Sequence, residues 1–147
     1  MHITESEAFL YALKKISRAD TTAYLLHKAL RQKGFPEEEI EELVRYFASI
    51  SYLNDERYAT NYIMKHVAKA KKGPRLLYYE LRSRGIEKEL CKILITTLYT
   101  PEQEMTAIQN IIKKDKGKTK QMKLVARLER RGFRHSTIKA CLHNLHN

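Results

Sequence analysis

The residues of this sequence that could do chemistry do not form a catalytic set. Asp55 and Glu56 are adjacent carboxylates of the kind that hold a metal ion in nucleases, but they fall where a helix is predicted to begin. Acidic residues in the first turn of a helix are explained by capping and by the helix dipole. Gly73 precedes a proline and is not followed by the lysine of a phosphate-binding loop. We therefore predict no enzymatic activity, no catalytic residue and no cofactor.

The cysteines and histidines give no metal-binding pattern. Cys91 and Cys141 lie 50 residues apart within apolar periodic segments, and no CxxC motif is present. His143 and His146 lie close to Cys141, but their spacing matches no closed zinc site. We predict no metal site and two buried, reduced thiols.

Basic side chains recur at helical spacing near the C-terminus and favour a polyanion as ligand. Lys120, Lys123 and Arg127 fall on one face of a predicted helix, and Arg130 and Arg131 continue that stripe. Like charges aligned in this way repel one another, whereas a polyanion neutralises them and releases counterions. The alternative is that these side chains only solubilise an exposed face.

A second set of basic residues lies in the middle of the chain. Lys65, Lys69 and Lys72 share one predicted helix, and on the next helix Tyr79 lies between two arginines, where it could stack on an unpaired base. The complete set of predicted DNA- or filament-binding residues is Lys65, Lys69, Lys72, Arg75, Tyr79, Arg82, Arg84, Lys116, Lys118, Lys120, Lys123, Arg127, Arg130 and Arg131.

The charge of the chain is unevenly distributed. In 147 residues, 28 lysines and arginines face 17 acidic residues, a net charge of +11. Residues 1–50 carry 7 basic and 8 acidic side chains, whereas residues 101–147 carry 11 and 4. Such a charge attracts nucleic acid, an anionic membrane surface or an acidic protein. The asymmetry indicates that the first third has a different role from the rest.

The elements that must position these residues are repeated three times. In each copy two leucines four residues apart are followed four residues later by glycine and then by an apolar residue. Leucines at this spacing share a helix face, and the glycine supplies the left-handed residue that ends the helix. The copies are Leu26, Leu30, Gly34 and Phe35, then Leu77, Leu81, Gly85 and Ile86, then Leu124, Leu128, Gly132 and Phe133.

These repeats predict an all-α protein of three tandem three-helix repeats in an elongated, curved array. Counting back from each glycine places Ala8, Ala59 and Thr106 at one position of a preceding helix. The predicted repeats are residues 1–50, 51–99 and 100–147. About nine helices are expected, near residues 5–16, 20–33, 36–49, 55–71, 74–84, 87–98, 101–114, 119–131 and 135–145.

No stretch of the sequence approaches the roughly 20 apolar residues that a membrane-spanning helix needs. The start of the chain also lacks the basic and then apolar order of a secretory leader. We expect no membrane association and a cytoplasmic location.

Three phrases of the sequence resemble the RecX family of bacterial recombination regulators. They are Tyr52-Leu53-Asn54-Asp55-Glu56-Arg57-Tyr58-Ala59, Lys72-Gly73-Pro74-Arg75 and Glu80-Leu81-Arg82-Ser83-Arg84-Gly85-Ile86. The resemblance covers almost the whole chain, and members of the family look like three tandem three-helix units. One departure is Ser51, which stands where members usually have glycine.

The resemblance implies a regulator rather than an enzyme. Such a protein would bind the RecA recombinase filament on single-stranded DNA, lodge in its helical groove, and inhibit the ATPase, recombinase and coprotease activities of RecA in DNA repair and the SOS response. We expect a monomer, and binding to double-stranded DNA stays open. The alternative is a general helical DNA- or RNA-binding protein that acts without a recombinase partner.

Overall fold

The computed structural model describes residues 6–145, and this part of the chain is all-α, with no strand. Three successive three-helix units follow one another, which confirms the predicted fold class. Their helices are α1 (Glu7–Arg18), α2 (Ala23–Gln32), α3 (Glu37–Ser49), α4 (Asp55–Lys69), α5 (Pro74–Ser83), α6 (Lys88–Leu98), α7 (Pro101–Asp115), α8 (Gln121–Arg130) and α9 (His135–Leu145).

The repeated glycines end the middle helix of each unit, as predicted. Gly34, Gly85 and Gly132 have φ values of +90°, +83° and +94°. After the first of them, the backbone N–H of Phe35 donates to the carbonyl oxygen of Leu30 at 3.3 Å, which is the longer bond of a Schellman motif. The other two units repeat this bond, so the second leucine of each copy also accepts the bond that turns the chain.

Polar caps set the helix starts. Ser6, Thr22 and Asn54 each accept a hydrogen bond from the backbone N–H three residues later, at the beginning of α1, α2 and α4. Thr100 caps α7 in a reciprocal box with Gln103. The sequence prediction began α1 and α2 too early because it did not assign these caps to Ser6 and Thr22.

Two hydrophobic cores support the units. The first unit has its own core, which includes Leu26, Leu30 and Phe47. The second and third units share one continuous core. Cys91 and Cys141 lie buried in that shared core, which confirms the predicted burial, and burial raises the pKa of both thiols.

Hydrogen bonds to backbone groups join neighbouring units. Between the first and second units, the Thr22 hydroxyl donates to the Arg84 carbonyl oxygen at 2.6 Å. Between the second and third units, the N–H of Gly73 donates to the carbonyl oxygen of Arg131 at 2.7 Å, and the N–H of Arg75 donates to that of Gly132 at 2.9 Å. The start of α5 therefore lies on the end of α8, which joins these two units closely.

Candidate nucleic-acid interface

A basic groove of about 990 Å³ lies between the second and third units. Its walls come from the C-terminal ends of α4 and α7, from the loop after α7, and from α8. Eight lysine and arginine side chains line it together with a single carboxylate, that of Asp115. The basic residues of this groove are Lys69, Lys71, Lys113, Lys114, Lys116, Lys118, Arg127 and Arg131.

The helix dipole explains part of the positive charge in the groove. Lys69, Lys113 and Lys114 occupy the last turns of α4 and α7, where the helix dipole favours cations. Ala70 and Lys116 then end these helices in the left-handed conformation. The dipole accounts for each lysine separately, but it does not require two helix ends from different units to converge on one groove.

Asp115 holds the lysine-rich loop in place. Its carboxylate accepts hydrogen bonds from the Thr119 hydroxyl at 2.5 Å, from the Thr119 backbone N–H at 3.0 Å and from Arg127 Nη2 at 3.2 Å. The Thr119 bonds, with a further contribution from Arg127, keep the pKa of Asp115 below its ordinary value. The carboxylate thus fixes the loop that carries Lys116 and Lys118 while remaining ionised.

The structure divides the basic residues of the predicted C-terminal stripe into two groups. Arg127 and Arg131 line the groove, whereas Lys123 and Arg130 are exposed on α8 and do not line it. Lys120 is the N-cap residue of α8 and is also exposed outside the groove.

The predicted residues of α4 and the following loop also separate. Lys72 was predicted on the same helix as Lys65 and Lys69, but α4 ends at Lys69 and Lys72 lies in the following loop. Lys69 lines the groove and Lys65 is exposed outside it. Lys72 pairs with Glu80, with 2.8 Å between Nζ and Oε2, and the Tyr62 hydroxyl donates to the same carboxylate at 2.7 Å. Burial opposes ionisation of Glu80, but the hydrogen bonds from Lys72 and Tyr62 outweigh it and lower the pKa.

Two predicted arginines of the second unit contact the protein itself. Arg82 Nη1 donates to the carbonyl oxygen of Ile86 at 2.9 Å, next to the end of α5. Arg84 donates to the carbonyl oxygen of Glu80 at 3.0 Å, and its guanidinium carbon lies 4.7 Å from the centre of the Tyr62 ring. Both side chains therefore help to order the region around the end of α5.

The remaining predicted residues, Arg75 and Tyr79, line a second and smaller pocket of about 290 Å³. It lies beside the α5–α8 contact, and α6 and the residue before α9 complete it. Tyr79 is 61% exposed. The whole lining is Pro74, Arg75, Tyr78, Tyr79, Lys92, Ile95, Thr96 and Arg134.

Several residues of both sites were missed by sequence reasoning. Lys71, Lys113 and Lys114 contribute to the groove, and Lys92 and Arg134 contribute to the pocket. The lysine pairs at the ends of α4 and α7 could have indicated the groove. Two helix ends that each carry cations form a basic surface when they lie together. Lys92 and Arg134 gave no such signal, since they lie far apart in sequence.

In residues 6–145, no group of three or more His, Cys, Asp or Glu side chains is placed to hold a metal ion. His146, which was considered as part of a metal pattern, lies outside the described residues. The same part of the chain contains no helix long and apolar enough to cross a membrane.

Comparison with known proteins identifies relatives for this architecture. The family model for the second three-helix domain of RecX matches residues 54–92. The regulatory protein RecX of Caldanaerobacter subterraneus is 33% identical over 142 residues, which cover 96% of this chain and 72% of the relative. The regulatory protein RecX of Bacillus subtilis is 31% identical over 119 residues, but the match spans only 45% of that longer relative.

A solved structure shows the same fold. The crystal structure of RecX from Lactobacillus salivarius superimposes with a TM-score of 0.85 at 20% identity, and the match covers 95% of this chain and 94% of that one. The fold agreement extends over all three units, and the sequence agreement with the Caldanaerobacter protein extends over nearly the whole chain. The chain therefore belongs to the RecX family of regulatory proteins.

Proposed function

We propose that this protein binds the RecA filament on single-stranded DNA and inhibits the ATPase, recombinase and coprotease activities of RecA during DNA repair and the SOS response. It acts in the cytoplasm as a monomer, and residues 1–50, 51–99 and 100–147 serve as its three structural repeats. The observation that carries the proposal is the basic groove between the second and third units, in a chain of the RecX family.

The groove suits the backbone of a nucleic acid. Its eight cations face one carboxylate, and that carboxylate is already paired with Arg127. Phosphates bound there would replace repulsion between lysines with attraction and would release counterions from the DNA. The groove supports contact with the DNA inside a filament, while the predicted residues outside it, such as Lys123 and Arg130, would meet phosphates further along the strand.

The first unit is suited to a protein surface. Residues 1–50 are close to neutral, and the unit exposes Leu10 by 58% and Tyr24 by 50%. The first turn of α3 carries Glu37, Glu38 and Glu39. A ligand that is both protein and DNA along its length, such as a recombinase filament, matches a chain with a neutral, partly apolar end and two basic units. Several weak contacts along one filament would add up to tight binding.

The alternative is a general nucleic-acid binder that occupies DNA or RNA without a recombinase. The basic groove favours it equally, because phosphate contacts carry no information about a protein partner. The two functions differ in whether the filament is bound more tightly than the same DNA without protein.

Two charge-reversed variants test the proposal. The groove variant is Lys113→Glu with Lys114→Glu, and the control is Lys14→Glu with Lys28→Glu in the first unit, which changes the net charge equally at exposed positions. The groove variant should bind single-stranded DNA at least tenfold more weakly, should show a shallower salt dependence, and should inhibit the RecA ATPase less. Equal behaviour of the two variants would show that only overall charge matters and would contradict the proposed role of the groove.

A further inference from the structure

The small pocket beside the α5–α8 contact combines aromatic and apolar surface with positive charge. Tyr78 and Tyr79 form an edge-to-face pair with ring centres 5.4 Å apart. Tyr79 is 61% exposed, and Ile95 and Pro74 supply the apolar part of the lining. An exposed aromatic ring next to apolar walls offers a flat stacking surface for another ring.

The charges around this surface are all positive. Arg75, Lys92 and Arg134 line the pocket, and no acidic side chain lines it. Within residues 6–145, the guanidinium of Arg75 has no hydrogen-bond or ion-pair partner. Lys92 is 3.9 Å from Glu89 in an exposed pair, which is a weak interaction. At least one cation of the pocket is therefore available to an anion.

The buried carboxylate of Glu104 fixes the side chain of Arg134, the third cation of the pocket. Glu104 Oε1 accepts hydrogen bonds from Arg134 Nε at 3.0 Å and Nη2 at 2.8 Å, while Oε2 accepts from the Arg134 backbone N–H at 2.9 Å. The Glu104 side chain is fully buried, whereas Arg134 remains 45% exposed. Arg134 is thus held in one orientation at the rim, and its charge is partly balanced by Glu104.

The pocket adjoins the basic groove. Lys71 and Arg131 line the groove, whereas Pro74 and Arg134 line the pocket, so each connection is only three residues long. Three residues span at most about 11 Å of backbone. The hydrogen bond from Gly73 to Arg131 keeps these two connections side by side. One strand of nucleic acid could therefore reach both sites within a few nucleotides.

We infer that this pocket binds one unpaired nucleobase of a single strand, with the base stacked on Tyr79 and its phosphate contacted by Arg75. Stacking on tyrosine tolerates every base, which suits a protein that must bind strands of any sequence. The inference rests on the proposed function, because it assumes that a single strand lies in the basic groove. An acidic peptide with an aromatic side chain is the competing occupant, and continuity with the groove favours the nucleobase.

The test compares two strands of equal length with the full chain. One is oligothymidylate, and the other is an abasic strand with the same phosphates and no bases. The unmodified protein should bind oligothymidylate about tenfold more tightly than the abasic strand. Tyr79→Ala should remove this difference, Tyr79→Phe should retain it, and Tyr52→Ala should retain it as a control at another exposed tyrosine. Arg75→Gln should weaken binding to both strands and make the salt dependence shallower.

The outcomes separate the pocket from the proposed function. Equal binding of the two strands by the unmodified protein, with the groove variant still impaired, would overturn the nucleobase pocket alone. No binding of either strand would overturn the DNA contact that both proposals assume. If Tyr79→Ala bound both strands normally but lost affinity for the RecA filament, the pocket would accept a protein side chain, and the inference would be wrong.

Discussion

The backbone N–H of Gly73 donates to the carbonyl oxygen of Arg131 at 2.7 Å, across the boundary between the second and third units. Gly73 is the N-cap residue of α5, and Arg131 is the C-cap residue of α8. A donor at one helix start is thus paired with an acceptor at another helix end, and the positive end of α5 lies next to the negative end of α8. This contact lies between the residues that line the basic groove and those that line the adjoining small pocket, and it fixes their relative position.

We predict that Gly73→Ala destabilises the protein by about 1–3 kcal/mol, because a Cβ there would lie 2.4 Å from the carbonyl carbon of Gly132. The φ of Gly73 is −92°, which suits any residue, so the cost arises from the contact alone. Urea unfolding followed by circular dichroism measures it.

Gly34→Ala is the matched control, because nothing lies within 4 Å of a Cβ at Gly34 but its φ is +90°. We expect about 1 kcal/mol of destabilisation from the backbone conformation and unchanged DNA affinity. Gly73→Ala should weaken DNA binding as well. If both variants left DNA affinity unchanged, the α5–α8 contact would not shape the interface.

Replacing the buried carboxylate of Glu104 should be costly. We predict that Glu104→Gln lowers the free energy of unfolding by about 3 kcal/mol, since its oxygens accept hydrogen bonds from Arg134 and Thr137. Thr137→Val removes only one of these bonds and should cost about 1 kcal/mol. Chemical denaturation of the three proteins compares them, and equal stability of Glu104→Gln and the unmodified chain would contradict the assignment.

His66 should make stability depend on pH in the weakly acidic range. Burial first, and then the charges of Lys72, Lys65 and Lys69 against the opposing Glu80, lower its pKa below 6.5. The unfolded chain therefore binds a proton more readily than the folded chain, so stability falls as the pH drops through about 6.5. The effect should level off once the pH is below the folded pKa.

The measurement is the free energy of unfolding between pH 7.5 and pH 5, above the range in which the lowered pKa values of Glu80 and Asp115 act. The free energy of unfolding of His66→Gln should depend less on pH over this interval. The same slope in both proteins would show that His66 is not responsible.

Ser51 adopts φ of +65°, the left-handed region, at the end of α3. We predict that Ser51→Gly stabilises the protein by about 0.5–1 kcal/mol, because glycine adopts this conformation without strain. Ala48→Gly, an exposed position within α3, should have the opposite effect. Thermal unfolding of both variants provides the comparison, and a lower melting temperature for Ser51→Gly would contradict the prediction.

The fold could be predicted from the sequence because the residues that specify each helix and turn are close together in the chain. The leucine pairs and glycines mark where each middle helix turns, and Gly34, Gly85 and Gly132 all have the predicted positive φ. Counting back from the glycines was less accurate. It paired Thr106 with the buried Ala8 and Ala59, whereas the structure exposes Thr106 and buries Ala107, so the register shifts by one residue in the third unit.

The basic groove was predictable only in part because its residues are assembled by contacts between units. Helical periodicity placed Arg127 and Arg131 on the same stripe as Lys123, but it could not show that only the first two line the groove. The distinction depends on how α8 meets α4 and α7. The structural role of Glu104 was also missed. An acidic residue in the first turn of a helix is explained by the helix dipole, and only the structure shows that Glu104 binds Arg134.

The most direct test of the proposed function is the DNA-dependent ATPase rate of RecA, measured against increasing amounts of the unmodified protein at fixed salt. A parallel titration measures binding to the same single-stranded DNA without RecA. We predict inhibition well below the protein concentration that coats the DNA, because the filament supplies contacts that DNA alone does not. Inhibition only at DNA-coating concentrations would contradict a filament regulator and would favour a general nucleic-acid-binding protein.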